Sequence, residues 1–308
     1  MIDSYAQTGA GFGALRSLFA KTAALLGVLV LVAGCATTTE PLEIAAPPPG
    51  PETKYSALVL DASSGATLYQ ANATASRYPA SLTKMMTLYL LFEAMDQGRL
   101  SKTTEIPVSA NASRQPPSKM GIKAGQTIDA ESAILSLAVK SGNDVAVAVA
   151  EYLGGTEEQF AAQMTARARQ LGMTGTVFRN ASGLPDPDQR TTARDMAVLG
   201  LALRSRFPQY FHYFSQRDFM FRGRLVRGHN DLIGRVDGVD GIKTGYIKAS
   251  GYNIVTSVSR GSRRLMIVVM GGNSARARND HVEELINRYI TVRPQRAGSL
   301  LSSLSPFD

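Results

Sequence analysis

Ser81-Leu82-Thr83-Lys84 places a hydroxyl and an amine three residues apart. On a helix such positions share a face, with Cβ atoms about 5–6 Å apart. The pair suits nucleophilic catalysis: a lysine in a crowded, cationic, partly dry pocket loses basicity and can take the serine proton. A helix start also offers free backbone N–H groups to a developing oxyanion. The spacing alone is common and equally describes a helix-surface pair. Context argues for more, because Ser81–Leu90 is apolar almost all round and reads as a buried helix, where an unpaired lysine is expensive.

Two further tripeptides could complete a site. Ser141-Gly142-Asn143 falls at a break between two apolar helical segments, so its hydroxyl and amide can project into a cleft, relay a proton and hold a substrate amide. A glycine C-cap is the plain alternative. Lys243-Thr244-Gly245 follows Val239-Asp240-Gly241-Ile242 in a strand. Its glycine lets a ligand backbone approach the strand edge, and lysine with threonine can bind a carboxylate. Two decoys fail on context. Ser109-Ala110-Asn111 lies in a polar stretch, and Lys123-Ala124-Gly125 lacks threonine and a preceding strand.

The elements that must position these residues follow from periodicity. Tyr55–Asp61 and Ala66–Gln70 read as a hairpin turning at Ala62-Ser63-Ser64-Gly65. Helices are expected over Ser81–Met95, Ala130–Lys140, Asp144–Leu153 and Thr156–Leu171, with a loop at Asn180–Pro185. Thr192-Ala193-Arg194-Asp195 resembles a capping box opening Met196–Leu203. Gly241–Tyr246, Tyr252–Ser259 and Arg264–Met270 read as strands, and Arg278–Ile290 as a closing helix. Strands at both ends around a helical middle imply one antiparallel sheet with helices packed on it, an α/β (α+β) protein.

The 308 residues fit one compact catalytic domain. Hydrophobic residues at 44% and charged residues at 19% exclude a mainly disordered chain. One cysteine excludes an internal disulfide; His212, His229 and His281 are far apart, and no HExxH occurs, so no metal or other cofactor is expected. Arg16 and Lys21 precede an apolar run, Ala23 to Ala33, too short to span a bilayer, which needs roughly 20 residues. Basic, apolar and small residues in that order read as a secretory signal. Leu31-Val32-Ala33-Gly34-Cys35 resembles a bacterial lipobox, so Cys35 is expected to be lipidated and to begin the mature chain. Ala36, in place of aspartate, favours the outer membrane. Removing residues 1–34 takes away two cations and one anion, so the charge of +8 becomes +7. An exported basic protein is expected to meet cell-envelope polymers and anionic lipid, and no nucleic acid. Residues 35–53 form a Pro/Thr-rich linker, 54–291 the catalytic domain and 292–308 a loose tail.

Three motifs in the order S-x-x-K, S-x-N, K-T-G are hard to obtain by chance, and together they resemble the serine D-alanyl-D-alanine carboxypeptidases, the low-molecular-mass penicillin-binding proteins. Pro79–Thr87, Ser141–Asp144 with Ala146, Asn180–Leu184, Thr192–Met196 and Asp240–Tyr246 each look like segments of that family. The resemblance runs from about Tyr55 to Ile290. It implies a β-lactamase-like, penicillin-recognising fold: a five-stranded antiparallel sheet flanked by helices, plus a helical lobe. It implies Ser81 as the acylated nucleophile, Lys84 as general base, and Ser141 and Asn143 as proton-transfer and substrate-holding groups. Lys243 and Thr244 would meet the terminal carboxylate, and the backbone N–H groups of Ser81 and Tyr246, after Gly245, would form the oxyanion hole. Some members bind the carboxylate with an arginine six residues after a Gly-Gly pair; Gly271-Gly272 leads to Arg278 at that spacing, with Arg276 as competitor. The chain ends 18 residues after Ile290, so the C-terminal β domain and amphipathic anchor of some members are expected to be missing, with the N-terminal lipid as anchor.

The resemblance implies removal of the terminal D-alanine from peptidoglycan stem peptides ending in D-Ala-D-Ala, with β-lactams as covalent inhibitors. Cleavage of cross-links as a D,D-endopeptidase is the runner-up. Efficient β-lactam hydrolysis would need a deacylating base, usually a glutamate in an E-x-x-L-N segment, and none is found. A non-catalytic wall-binding lipoprotein is a third possibility, opposed by the intact Ser81, Lys84, Ser141, Asn143 and Lys243.

Overall fold

A computed structural model describes residues 54–292. The signal segment, Cys35, the linker over 35–53 and residues 293–308 of the tail lie outside the described residues. Strands β1 (Ser56–Asp61) and β2 (Thr67–Ala71) form the expected hairpin. At the other end β7 (Val239–Ile247), β8 (Gly251–Arg260) and β9 (Arg263–Gly272) complete a five-stranded antiparallel sheet in the order β2-β1-β9-β8-β7. Strands from the early and late parts of the described residues therefore meet at β1 and β9, where Leu58 faces Val268.

Both faces of the sheet are covered, which explains why β1 and β9 read as apolar runs rather than as alternations. Leu58 and Leu60 with Met266, Val268 and Met270 point to one core. Ala57 and Val59 with Leu265, Ile267 and Val269 point to the other. The period of two along each strand separates the sets.

Helix α1 (Lys84–Asp96) runs through the larger core with Leu88 to Phe92 all buried. It starts later than expected: Ala80–Thr83, including Ser81, is a 3₁₀ turn leading into it. Short α2 (Ala110–Ser113) is capped by the Ser109 hydroxyl, which accepts from the Ala112 N–H, so the decoy S-x-N is a helix cap. The helix expected over Ala130–Lys140 divides into α3 (Ala130–Leu135) and a π-helical segment, Ser136–Lys140. Helices α4 (Asn143–Gly154) and α5 (Glu157–Gln170) follow, the latter burying Phe160, Ala161, Met164 and Ala168 along one stripe. Helix α6 (Ala193–Arg206) is longer than expected, and its capping box is half formed. The Thr192 hydroxyl accepts from Asp195 N–H, while the Asp195 carboxylate accepts from the Thr176 hydroxyl at 2.5 Å instead of reaching back. Helix α7 (Ala275–Tyr289) covers the second core with Val282, Leu285 and Ile286.

Two small antiparallel ribbons carry no expectation from the sequence. They are β3 (Glu105–Pro107) with β4 (Thr127–Asp129), and β5 (Asp218–Phe221) with β6 (Arg224–Arg227). Strands of three and four residues give too little alternation to be seen.

Candidate active site

Ser81 lies half-buried between two close contacts. Its neighbour Ala80 has φ +50°, a left-handed conformation uncommon for a residue with a Cβ. From one side the loop at Gly183 presses in: a Cβ there would sit 1.9 Å from the Ala80 carbonyl oxygen. From the other, β7 passes so closely that a Cβ on Gly245 would lie 3.0 Å from the Ser81 nitrogen. Gly245 thus admits the chain's own Ser81 turn to the strand, where the sequence had suggested approach by a ligand. The contact sets the Ser81 amide beside Gly245-Tyr246. Asn253 on β8 ties the same turn down, donating to the Tyr78 and Pro79 carbonyls at 3.0 and 3.2 Å while accepting from the Gly271 N–H at 3.0 Å.

Lys84 is fully buried, with Nζ 3.4 Å from Ser81 Oγ. It donates to Asn143 Oδ1 at 2.7 Å and to the Ser182 carbonyl at 2.5 Å. Burial, then the nearby positive charge of Lys243, holds its pKa well below the ordinary lysine range; Asp144 and Glu157 oppose this. A neutral amine has two hydrogens and one lone pair. In that form Asn143 and Ser182 would engage both hydrogens and leave the lone pair for Ser81. The 3.4 Å separation is long for a hydrogen bond, as is common in a site without substrate.

Ser141 follows the π-helical segment and adopts the left-handed conformation, φ 63°. This turns its side chain out of the helix line, and its Oγ is buried without a hydrogen-bond partner. Asn143 is fixed at its other end by donation from Nδ2 to the Pro116 carbonyl at 2.9 Å. The next residue, Asp144, is buried and accepts the backbone N–H groups of Met120, Gly121 and Val145 at 3.0, 2.8 and 2.9 Å. It clamps the 116–122 loop over the cleft. The Ser182 loop is held by Glu157, which accepts the Ala181 N–H at 3.0 Å, and by Thr87, whose hydroxyl donates to the Ala181 carbonyl at 2.7 Å.

Lys243 is 1% exposed and donates to the Thr244 carbonyl at 3.1 Å. Burial, then the Arg278 charge, pushes its pKa down to about 7. Arg278 is 2% exposed, bonded to Asn279 Oδ1 and to the Asn253 carbonyl, with its pKa lowered to about 10 by burial. Arg276 points away, its side chain 91% exposed and paired with Asp280 at 3.7 Å. Tyr246 is half exposed and packs on Tyr252 at 4.3 Å between ring centroids.

A cleft of about 520 Å³ collects Ser81, Ser141, Asn143, Thr244, Gly245, Tyr246 and Arg278. Lys84 and Lys243 lie behind its wall. Ser118, His229 and Asp231 also line it and were not singled out from sequence. Among the described residues no cluster of His, Cys, Asp or Glu could hold a metal ion. The arrangement offers a hydroxyl with an adjoining lone pair, an unpartnered hydroxyl opposite, and two cations at the far end: the groups an acyl transfer from a carboxylate-bearing substrate requires.

Residues 43–274 match the family model for D-alanyl-D-alanine carboxypeptidase. The chain is 33% identical over 257 residues to the D-alanyl-D-alanine carboxypeptidase DacA of Escherichia coli (strain K12), covering 80% of this chain but 64% of that protein. It thus spans slightly under two thirds of that relative's length. Among solved structures, penicillin binding protein 5 from Haemophilus influenzae superposes with a TM-score of 0.74 at 33% identity, over 80% of this chain and 72% of the other. Penicillin-binding protein D2 from Listeria monocytogenes in its ampicillin-bound form gives 0.70 at 28% identity, over 76% and 96%.

Proposed function

Given that the chain belongs to the D-alanyl-D-alanine carboxypeptidase family, we propose that it removes the terminal D-alanine from peptidoglycan stem peptides through a Ser81 acyl-enzyme. The observation that carries this is the buried Lys84 Nζ, 3.4 Å from Ser81 Oγ and held in place by Asn143 Oδ1 and the Ser182 carbonyl. Ser81 Oγ gives its proton to Lys84 and attacks the penultimate D-alanyl carbonyl. The oxyanion forms beside the Ser81 and Tyr246 amides. The C–N bond breaks, the leaving amine takes a proton relayed from Lys84 through Ser141, and D-alanine departs. Water then hydrolyses the ester and Ser81 regains its hydrogen. Lys243, Thr244 and Arg278 receive the substrate's terminal carboxylate, and Asn143 holds a substrate amide. A β-lactam enters by the same attack and stays as the ester. Labelled penicillin should form a stable adduct on the native protein and none on Ser81→Ala; an adduct that survives the substitution refutes the assignment.

We further propose that the protein works in the cell envelope, exported by its N-terminal signal and held through lipid on Cys35, with the outer membrane favoured by Ala36. One acyl chain binds membranes only marginally, so several are expected. Cys35→Ser should abolish lipid labelling, and unchanged labelling would refute the anchor.

A further inference from the structure

The β5–β6 ribbon turns an apolar pair to solvent. Its inner face carries Phe219, Phe221 and Val226, all buried or half-buried. A ribbon with one face packed on the body of a protein normally turns polar side chains to water on the other. Here Met220 stands directly across from Leu225 on the outer face, flanked by the opposed Asp218 and Arg227. Met220 and Leu225 are 61% and 53% exposed, the two most exposed large apolar side chains among the described residues.

Cations surround this pair. Residues 217–227 hold four arginines and one aspartate. Arg222, Arg224 and Arg227 are exposed, and none takes part in an ion pair among the described residues. The ribbon's tip is tied down: Arg222 donates from Nη1 to Gln126 Oε1 at 3.1 Å and from Nη2 to the Thr127 carbonyl at 3.0 Å. The same Gln126 oxygen accepts the Lys123 N–H at 3.2 Å, which brings another exposed cation to the tip.

We propose that this surface docks on an anionic lipid bilayer. Met220 and Leu225 enter the headgroup region, and Arg224, Arg227 and Lys123 meet lipid phosphates. Charge selects an anionic partner, since the cations outnumber the one acid of the ribbon. The apolar pair selects lipid among anionic partners: its side chains are aliphatic, as acyl chains are, whereas sugar rings of a wall polymer pack on aromatic faces. Size argues against a protein, because two side chains on four-residue strands fall far short of the roughly 800 Å² per partner of a stable protein interface. The proposal depends neither on the Ser81 chemistry nor on the lipid proposed at Cys35. It adds an orientation to them: Gly228, one residue after β6, lines the catalytic cleft, so docking holds the cleft beside the bilayer.

The test uses the full chain with Cys35→Ser, which removes its only cysteine and any lipid there. Leu225→Cys, or Tyr152→Cys on α4 as control, then carries an environment-sensitive dye. Vesicles are phosphatidylcholine alone or with about one third phosphatidylglycerol. The dye at 225 should shift to the blue and be quenched from within the lipid on anionic vesicles and not on neutral ones, while the dye at 152 stays aqueous. Raising the salt should reverse the shift. Arg224→Gln/Arg227→Gln should weaken binding read at 225 by at least about tenfold with a native thermal melt; the salt titration tests the charges without any variant. A dye at 225 that stays aqueous, shifts no more than the one at 152, ignores salt or ignores the double substitution in a folded variant overturns the proposal. A shift on soluble peptidoglycan fragments and none on vesicles also overturns it, and gives the surface to the wall polymer.

Discussion

Replacing Lys243 by methionine should stabilise the fold while disabling the site. In the folded protein burial and Arg278 push the Lys243 pKa from 10.5 to about 7, and at about 1.4 kcal/mol per pH unit this costs the native state about 4–5 kcal/mol at neutral pH. Methionine fills similar volume without that cost. It loses the Nζ bond to the Thr244 carbonyl, a net contribution of about 1 kcal/mol, plus some packing. A gain of about 1–3 kcal/mol at pH 7 remains. The sign can be checked against pH. Between about 7 and 10.5 the unfolded chain holds a proton on Lys243 that the folded chain does not, so native stability rises with pH across that window. Below 7 both states are protonated and the full cost is present; above 10.5 neither is and the cost vanishes. Lys243→Met should therefore flatten the rise by up to about 1.4 kcal/mol per pH unit. Urea unfolding at pH 7 and pH 9.5 measures this. The same variant should lose about 2–5 kcal/mol in acylation by a D-Ala-D-Ala peptide, because the substrate carboxylate meets no lysine; Lys243→Arg should recover part of it, since a rigid fork replaces a point charge. A variant less stable than native at pH 7, with an unchanged pH slope and acylation within twofold, would show that Lys243 is an ordinary solvated lysine and refute the reasoning.

Two other substitutions separate positioning from chemistry. Gly245→Ala places a Cβ 3.0 Å from the Ser81 nitrogen and 3.2 Å from the Pro79 carbonyl oxygen; it should cost about 1–3 kcal/mol of stability and slow penicillin acylation at least tenfold, both readable on one preparation. Arg278→Ala should lower kcat/KM on a D-Ala-D-Ala peptide by about a hundredfold or more through loss of a buried cation, whereas Arg276→Ala, at an exposed position, should leave it within twofold.

Residues that act through their own side chains were legible, and residues that act by holding backbone were not. Ser81, Lys84, Ser141, Asn143 and the Lys243 strand announce themselves by type and spacing, and the structure brings them to one cleft. The two candidate arginines could be separated only by exposure, which a helix drawn from sequence does not contain. Asn253 sits in a strand that reads as ordinary, yet its amide links β8, the nucleophile turn and Gly271. Asp144 was seen as part of a motif, but two of its backbone partners, Met120 and Gly121, lie across in a loop with no periodic signal. The sheet was readable because β1 and β9 at its centre are apolar on both faces and β7, β8 and β9 are long. The β5–β6 ribbon, four residues a side, was invisible for lack of length.

The site's electrostatics show why these residues cannot be explained as supports of the fold. Lys84, Lys243 and Arg278 are buried, Lys243 depresses the basicity of Lys84 and Arg278 that of Lys243, and none of them takes part in an ion pair among the described residues. Each would be cheaper as an apolar residue of similar volume. Their cost is offset only when an anion enters. In the proposed mechanism a substrate carboxylate at Lys243 and Arg278 offsets the Lys243 charge, which after burial is the second cause of the lowered Lys84 pKa. Lys84 then becomes a better proton acceptor at the moment Ser81 must give its proton up. Substrate binding and activation of the base are thereby coupled through one buried cation. This argues that a ligand lacking the carboxylate should be acylated slowly even when its carbonyl reaches Ser81.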